Sequence, residues 1–127
     1  APAALDRLAR LGLIVADGDP RLAVAACPGA PACSRGEAPA QQDAALIAAA
    51  AAARLGQGLT LHVSGCAKGC AHPRRADLTL VGRAGAYDIV LDGTAGSSPV
   101  ARLGAQDLAL RVAAPGDLAT LLTREPP

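Results

Sequence analysis

The stretch LTLHVSGCAKGCAHPRRADLTLVGRAGAYDIVLDG, residues Leu59–Gly93, decides how this chain folds. Its opening, Leu59–Ser64, alternates and is partly β-branched, which predicts a strand. The segment GCAKGCAHP that follows is broken by glycine and proline and predicts a loop or single turn. Asp77–Val81 and Tyr87–Leu91 then predict two strands joined through GRAGA as a hairpin. A strand, a cysteine-bearing turn and a hairpin in direct succession require a sheet.

Working outward, Ala40 opens AQQDAALIAAAAAARLG, the best helix in the chain. Ala and Leu have high helix propensity, Asp43 lies early, Arg54 lies in the last turn, and Gly56 is a stop. Upstream, Arg21–Ala26 is a short apolar run between Pro20 and Pro28 and reads as a strand, with Cys27–Pro39 a loop. Leu5–Leu13 reads as a short amphipathic helix ending near Gly12. Downstream, Gly93–Ser98 is a flexible loop, and Leu103–Val112 reads equally as helix or strand. Asp117–Leu122 is a last short helix, and Pro126–Pro127 a tail. The order β-α-β-β-β-α predicts an α+β fold, a small mixed sheet with helices on one face.

A chain of 127 residues is enough for one domain with a core of its own. That core must be Leu, Val, Ile and Ala, because Tyr87 is the single aromatic and Phe, Trp and Met are missing. A formal charge of +1 and the lack of any basic run give no reason to expect nucleic acid. The longest apolar run, Ala44–Ala53, is far short of the roughly 20 residues that span a bilayer, so no membrane is expected either. Early charges at Asp6 and Arg7 do not suit a signal peptide, and the cytoplasm is the expected compartment. Without Met the chain reads as a piece of a longer protein.

The four cysteines form two pairs, Cys27/Cys33 with C-x5-C spacing and Cys66/Cys70 with C-x3-C. Each pair directly follows a predicted strand and sits in a Gly- and Pro-rich turn. Rigid turns at strand ends give thiolates fixed directions, as an iron–sulfur cluster needs. Gly65 and Gly69 leave room for backbone to approach and for N–H groups to point at sulfur. Disulfides are little needed in a non-secreted chain of this size. Structural zinc stays open, since C-x3-C suits it, although C-x5-C is wider than the usual pair. Ordinary buried cysteines would not explain why all four fall in two turns.

ACPGAPACSRG (Ala26–Gly36) followed by HVSGCAKGCAHP (His62–Pro73) resembles the paired cysteine motifs of the sirohaem nitrite and sulfite reductase family. Ala-Lys-Gly between the last two cysteines, and Ala-His-Pro after them, look more like the family's precorrin-3B synthase branch; the reductases more often have Pro-Asn there. The resemblance covers roughly Ala23–Gly93, hairpin included. It implies a [4Fe–4S] cluster on Cys27, Cys33, Cys66 and Cys70. It also implies a second iron, in sirohaem or as non-haem iron, on the Cys70 side. The activity it implies is an oxygen- and NADH-dependent monooxygenase acting on a tetrapyrrole in cobalamin biosynthesis. The alternatives are a sirohaem-dependent reductase domain and a non-catalytic electron-transfer or zinc module. The implied organisation is one iron–sulfur domain over 1–127, C-terminal in a longer enzyme: a lead-in helix at 1–20, a cluster-binding core at 21–93 and an extension at 94–127. The implied partners are the enzyme's own N-terminal domains, the tetrapyrrole substrate and an electron donor. A fragment of this kind would be inactive alone, and apolar surface left without those domains would make it self-associate.

No residue is assigned a catalytic role. Lys68 lies between two ligands and belongs to the cofactor's surroundings, where its charge would offset thiolates. Arg35, Arg74 and Arg75 are candidates for carboxylate contacts, with a solvated basic loop as the alternative. His72 reads as a turn residue or an N–H donor to sulfide rather than an iron ligand. His62 reads as a satisfied sheet histidine, and Tyr87 as a packed ring with a hydrogen-bonded hydroxyl.

Overall fold

The computed structural model describes residues 2–124 and shows a five-stranded mixed sheet with helices. In chain order the elements are α1 (Pro2–Arg10), β1 (Val24–Ala26), α2 (Ala40–Ala50), α3 (Ala52–Gly56), β2 (Leu61–Ser64), β3 (Ala76–Arg83), β4 (Ala86–Gly93), β5 (Ala101–Leu103), α4 (Ala105–Ala113) and α5 (Leu118–Thr123). The strands lie side by side in the order β1-β2-β3-β4-β5. The pairs β1–β2 and β2–β3 are parallel, and β3–β4 and β4–β5 are antiparallel. The α+β class with a mixed sheet is thus as the sequence predicts.

Alternation along the strands puts the apolar rows on one face. Leu61 pairs with Leu78 and Val63 with Leu80, and Leu80 in turn pairs with Ile89. Ile47 of α2, Leu55 of α3, Leu108 and Val112 of α4 and Leu122 of α5 join these residues in one core. The helices that bury their apolar side therefore share a face of the sheet. Arg54 at the end of α3 fastens the layer, donating to the carbonyls of Val112 (3.0 Å), Ala114 (2.7 Å) and Gly116 (3.0 Å). Residues past 93 supply β5, α4 and α5 to this structure.

Several elements differ from their sequence reading. Arg21–Ala23 is not strand but part of a 3₁₀ turn, Pro20–Ala23, because Asp19 caps it by accepting the Arg21 backbone N–H at 2.9 Å. The long Ala-rich helix is broken at Ala51 (φ −92°, ψ 12°) into α2 and α3. The ambiguous Leu103–Val112 resolves into the end of β5 and most of α4, with Gly104 between them. The hairpin strands run further than predicted. Ala84 and Gly85 form a two-residue turn with φ of 50° and 86°, the positive pair that a type I′ turn needs. α5 starts at Asp117, whose carboxylate accepts the Thr120 N–H at 3.0 Å. Pro126–Pro127 lie outside the described residues. α1 forms three residues earlier than expected, over Pro2–Arg10 rather than Leu5–Leu13, and buries none of its residues. Among the described residues no helix is long and apolar enough to cross a membrane.

Candidate functional site

Both cysteine loops leave the carboxyl ends of parallel strands. Cys27 directly follows β1, and its N–H donates to the Val63 carbonyl at 3.3 Å, continuing the ladder by one residue. Cys66 follows β2 after Gly65. Because β1 and β2 are adjacent and parallel, the two loops emerge side by side at one end of the sheet. The carboxyl end of parallel strands is where open α/β sheets place ligands.

The loops are joined through backbone. The Gly65 N–H donates to Cys27 Sγ at 3.0 Å, across the two motifs. Glu37 N donates to the Gly65 carbonyl at 2.7 Å, and Gly85 N to the Glu37 carbonyl at 2.8 Å, so the hairpin turn supports the first loop. Cys33 N is held by the Gly29 carbonyl at 2.7 Å. A Cβ on Gly65 would stand 2.8 Å from Gly29 Cα, and one on Gly82 would stand 2.6 Å from the Gly65 carbonyl oxygen. Three backbones meet here at distances that only glycine allows.

The second loop, Gly65–Arg75, connects parallel β2 to β3 across the sheet face opposite α2. Its Gly69 (φ 64°) rests near Ala95 and the His62 ring. That face carries His62, which is fully buried with both ring nitrogens lacking any hydrogen-bond partner. The reading of His62 as a satisfied sheet histidine therefore needs correction. The part of the loop that lies against the ring is Gly69, which brings no side-chain acceptor to it. Its nearest aromatic neighbour is His72, ring centroids 5.4 Å apart. Burial first, and His72 second, hold the His62 imidazole below its ordinary pKa. His72 stays in the turn, its Nε2 3.3 Å from the Arg75 carbonyl.

Tyr87 is fully buried and donates its hydroxyl to Asp43 at 2.6 Å, as its packed reading expects. Burial, then that hydrogen bond, push its phenol pKa up. Arg75 is turned to Asp92, with Asp77 3.6 Å away, so its guanidinium is already engaged by carboxylates of the chain. Arg74 is exposed. Lys68 and Arg35 are exposed as well, and together with Cys66 and Ala67 they line one open pocket of about 470 Å³.

All four cysteines are free thiols, three half-buried and Cys70 exposed. Among the described residues no three Cys, His, Asp or Glu side chains group closely enough to hold one metal ion. A tetrahedral zinc with Zn–S of about 2.3 Å would need its thiolates within roughly 4 Å of one another. A [4Fe–4S] cluster is a body of eight atoms and takes its ligands wider apart. Four free thiols, a backbone N–H on one sulfur and glycine-lined approach suit that group by donor chemistry.

Over 90 residues the chain is 40% identical to a curated precorrin-3B synthase from Sinorhizobium sp. The chain is similar to part of that precorrin-3B synthase. The match takes in 71% of this chain, which spans about a fifth (20%) of the length of that precorrin-3B synthase. No family model matches the chain. The branch resemblance read from Ala-Lys-Gly and Ala-His-Pro thus agrees with the comparison.

Proposed function

We propose that this chain is the cluster-bearing part of an oxygen- and NADH-dependent monooxygenase that converts precorrin-3A to precorrin-3B in cobalamin biosynthesis. The observation that carries the reading is the hydrogen bond from Gly65 N–H to Cys27 Sγ, which joins two cysteine loops at the ends of parallel strands. The relative's name supports the pathway. Dioxygen supplies the hydroxyl oxygen at C20 of the substrate, and NADH the two electrons that reduce the other oxygen atom to water.

Cys27, Cys33, Cys66 and Cys70 would hold a [4Fe–4S] cluster, which when bound supplies one-electron transfer. This chain's own residues do the rest. The Gly65 N–H lowers the charge on the Cys27 thiolate and so favours the reduced, more negative state. Lys68 acts in the same sense from between the second pair of ligands. Gly29, Gly65 and Gly82 hold the loops against the sheet, which fixes the thiolate directions. Tyr87, tied to Asp43 beneath the first loop, keeps that side of the site closed to water. A second iron, in sirohaem or non-haem, would lie on the Cys70 side, the most exposed of the four thiols.

The test is a potentiometric titration of the anaerobically reconstituted chain followed by electron paramagnetic resonance. A reversible one-electron signal, lost in Cys66→Ser, is the expected result. A spectroscopically silent, colourless protein carrying about one zinc would replace the redox reading with a structural one.

A further inference from the structure

The geometry points to a carboxylate-binding pocket between the two cysteine loops, with Arg35 and Lys68 as its paired cations and a peripheral carboxylate of a polycarboxylate macrocycle as its ligand. The inference rests on the proposed function for the identity of the macrocycle, and adds which part of it lies beside Cys66.

Arg35 comes from the first loop and Lys68 from the second, and both line the pocket of about 470 Å³ whose wall includes Cys66. Among the described residues neither makes an ion pair or a side-chain hydrogen bond, whereas other cations are committed. Arg21 is held by Asp19, Arg83 by Asp88 and Arg111 by Asp107. The acidic residue of the first loop, Glu37, is turned away and accepts the Ala84 N–H at 3.2 Å. Among the described residues no carboxylate lines the pocket. Two like charges facing one pocket repel each other, and an anion relieves the repulsion. A carboxylate meets the planar Arg35 fork in bidentate fashion and takes a further N–H from Lys68. The open mouth suits an acid side arm better than a whole ring, and the lack of any aromatic in the lining rules out stacking as the means of grip.

Binding is measured by fluorescence titration of uroporphyrin I, an octacarboxylate tetrapyrrole, on the full chain with and without reconstituted cluster. A tetracationic N-methylpyridyl porphyrin of similar size serves as the control ligand, and iron and sulfide are assayed on every sample. The wild type binds uroporphyrin I, more weakly as salt rises. Arg35→Gln and Lys68→Gln each weaken binding about fivefold, and together by more than about tenfold. Arg35→Lys restores part of the loss, and Arg7→Gln, an exposed cation on α1 outside the pocket, leaves binding unchanged. No binding by the wild type, unchanged affinity in the double variant, an equal loss in Arg7→Gln, or equal binding of the cationic porphyrin each overturns the inference. Failure to take up iron and sulfide is a separate result, against the cluster itself, and leaves the binding comparison readable on the cluster-free chain.

Discussion

The N–H of Gly65 points at the sulfur of Cys27 from 3.0 Å, although the two residues belong to different cysteine motifs. The bond exists because β1 and β2 are parallel neighbours that end at the same edge, and because nothing larger than hydrogen fits on Gly65. Loop position, strand register and thiol environment are therefore one feature.

Gly65→Ala tests that dependence. The new Cβ would press on Gly29 Cα at 2.8 Å and sit 3.4 Å from Cys27 Sγ, with backbone on one side that has little freedom to retreat. We expect a loss of about 1–3 kcal/mol in urea unfolding of the cluster-free chain, as for other overpacked sites. Cys27 should also react faster with a thiol reagent, since the loops must part. A variant as stable as wild type with unchanged Cys27 reactivity would show the loops to be independent.

His62 gives the opposite expectation. Its two ring nitrogens are buried without partners, a cost of about 1–3 kcal/mol for each group so placed. His62→Leu removes that cost at similar volume, so the cluster-free chain should be as stable as wild type or more so by chemical denaturation. A loss of more than about 1 kcal/mol would mean that the imidazole has a partner in solution.

Asp19 sets part of the acid behaviour. Its side-chain hydrogen bond with Arg21, then the Arg21 backbone N–H, draw its pKa from the usual 3.8 to about 2. A carboxyl whose folded pKa is depressed stabilises above its unfolded value and loses that contribution as pH falls through the folded one. Stability should therefore decline between pH 3.8 and about 2. Asp19→Asn should flatten the decline in thermal unfolding followed across that range; an unchanged slope would assign the acid sensitivity to other carboxyls.

The N-terminal stretch exposes Leu5, Leu8, Leu11, Leu13, Ile14 and Val15, and Leu11 is 77% exposed. Large apolar side chains exposed in this number along one stretch promote association. Sedimentation velocity should show mass increasing with concentration, and Leu8→Lys with Leu11→Lys should restore a monomer. A wild-type monomer at high concentration would contradict this.

Much of the sheet was legible in the sequence because alternation survives in short strands: Leu61, Val63, Leu78 and Leu80 fall on the buried face that their period assigns. The helical stop near Gly12 and the start at Asp117 were legible from capping chemistry. Three things were not. The 3₁₀ turn at Pro20–Ala23 depends on Asp19 accepting an N–H that strand propensity does not register. β5 is a three-residue strand whose pairing with β4 is tertiary. The isolation of His62 depends on which loop crosses above it, and a lone histidine in an alternating run carries no sign of that. At the site, cysteine spacing marked the two loops, but only the fold shows Gly65 against Cys27, and Arg35 and Lys68 around one pocket.

The most direct measurement is an absorption spectrum with iron and sulfide quantitation after anaerobic preparation, on wild type and on Cys70→Ser. A broad shoulder near ~400 nm with about four irons and four sulfides per chain, lost in the variant, is the expected result. About one zinc per chain and no colour, unchanged by the substitution, would contradict it.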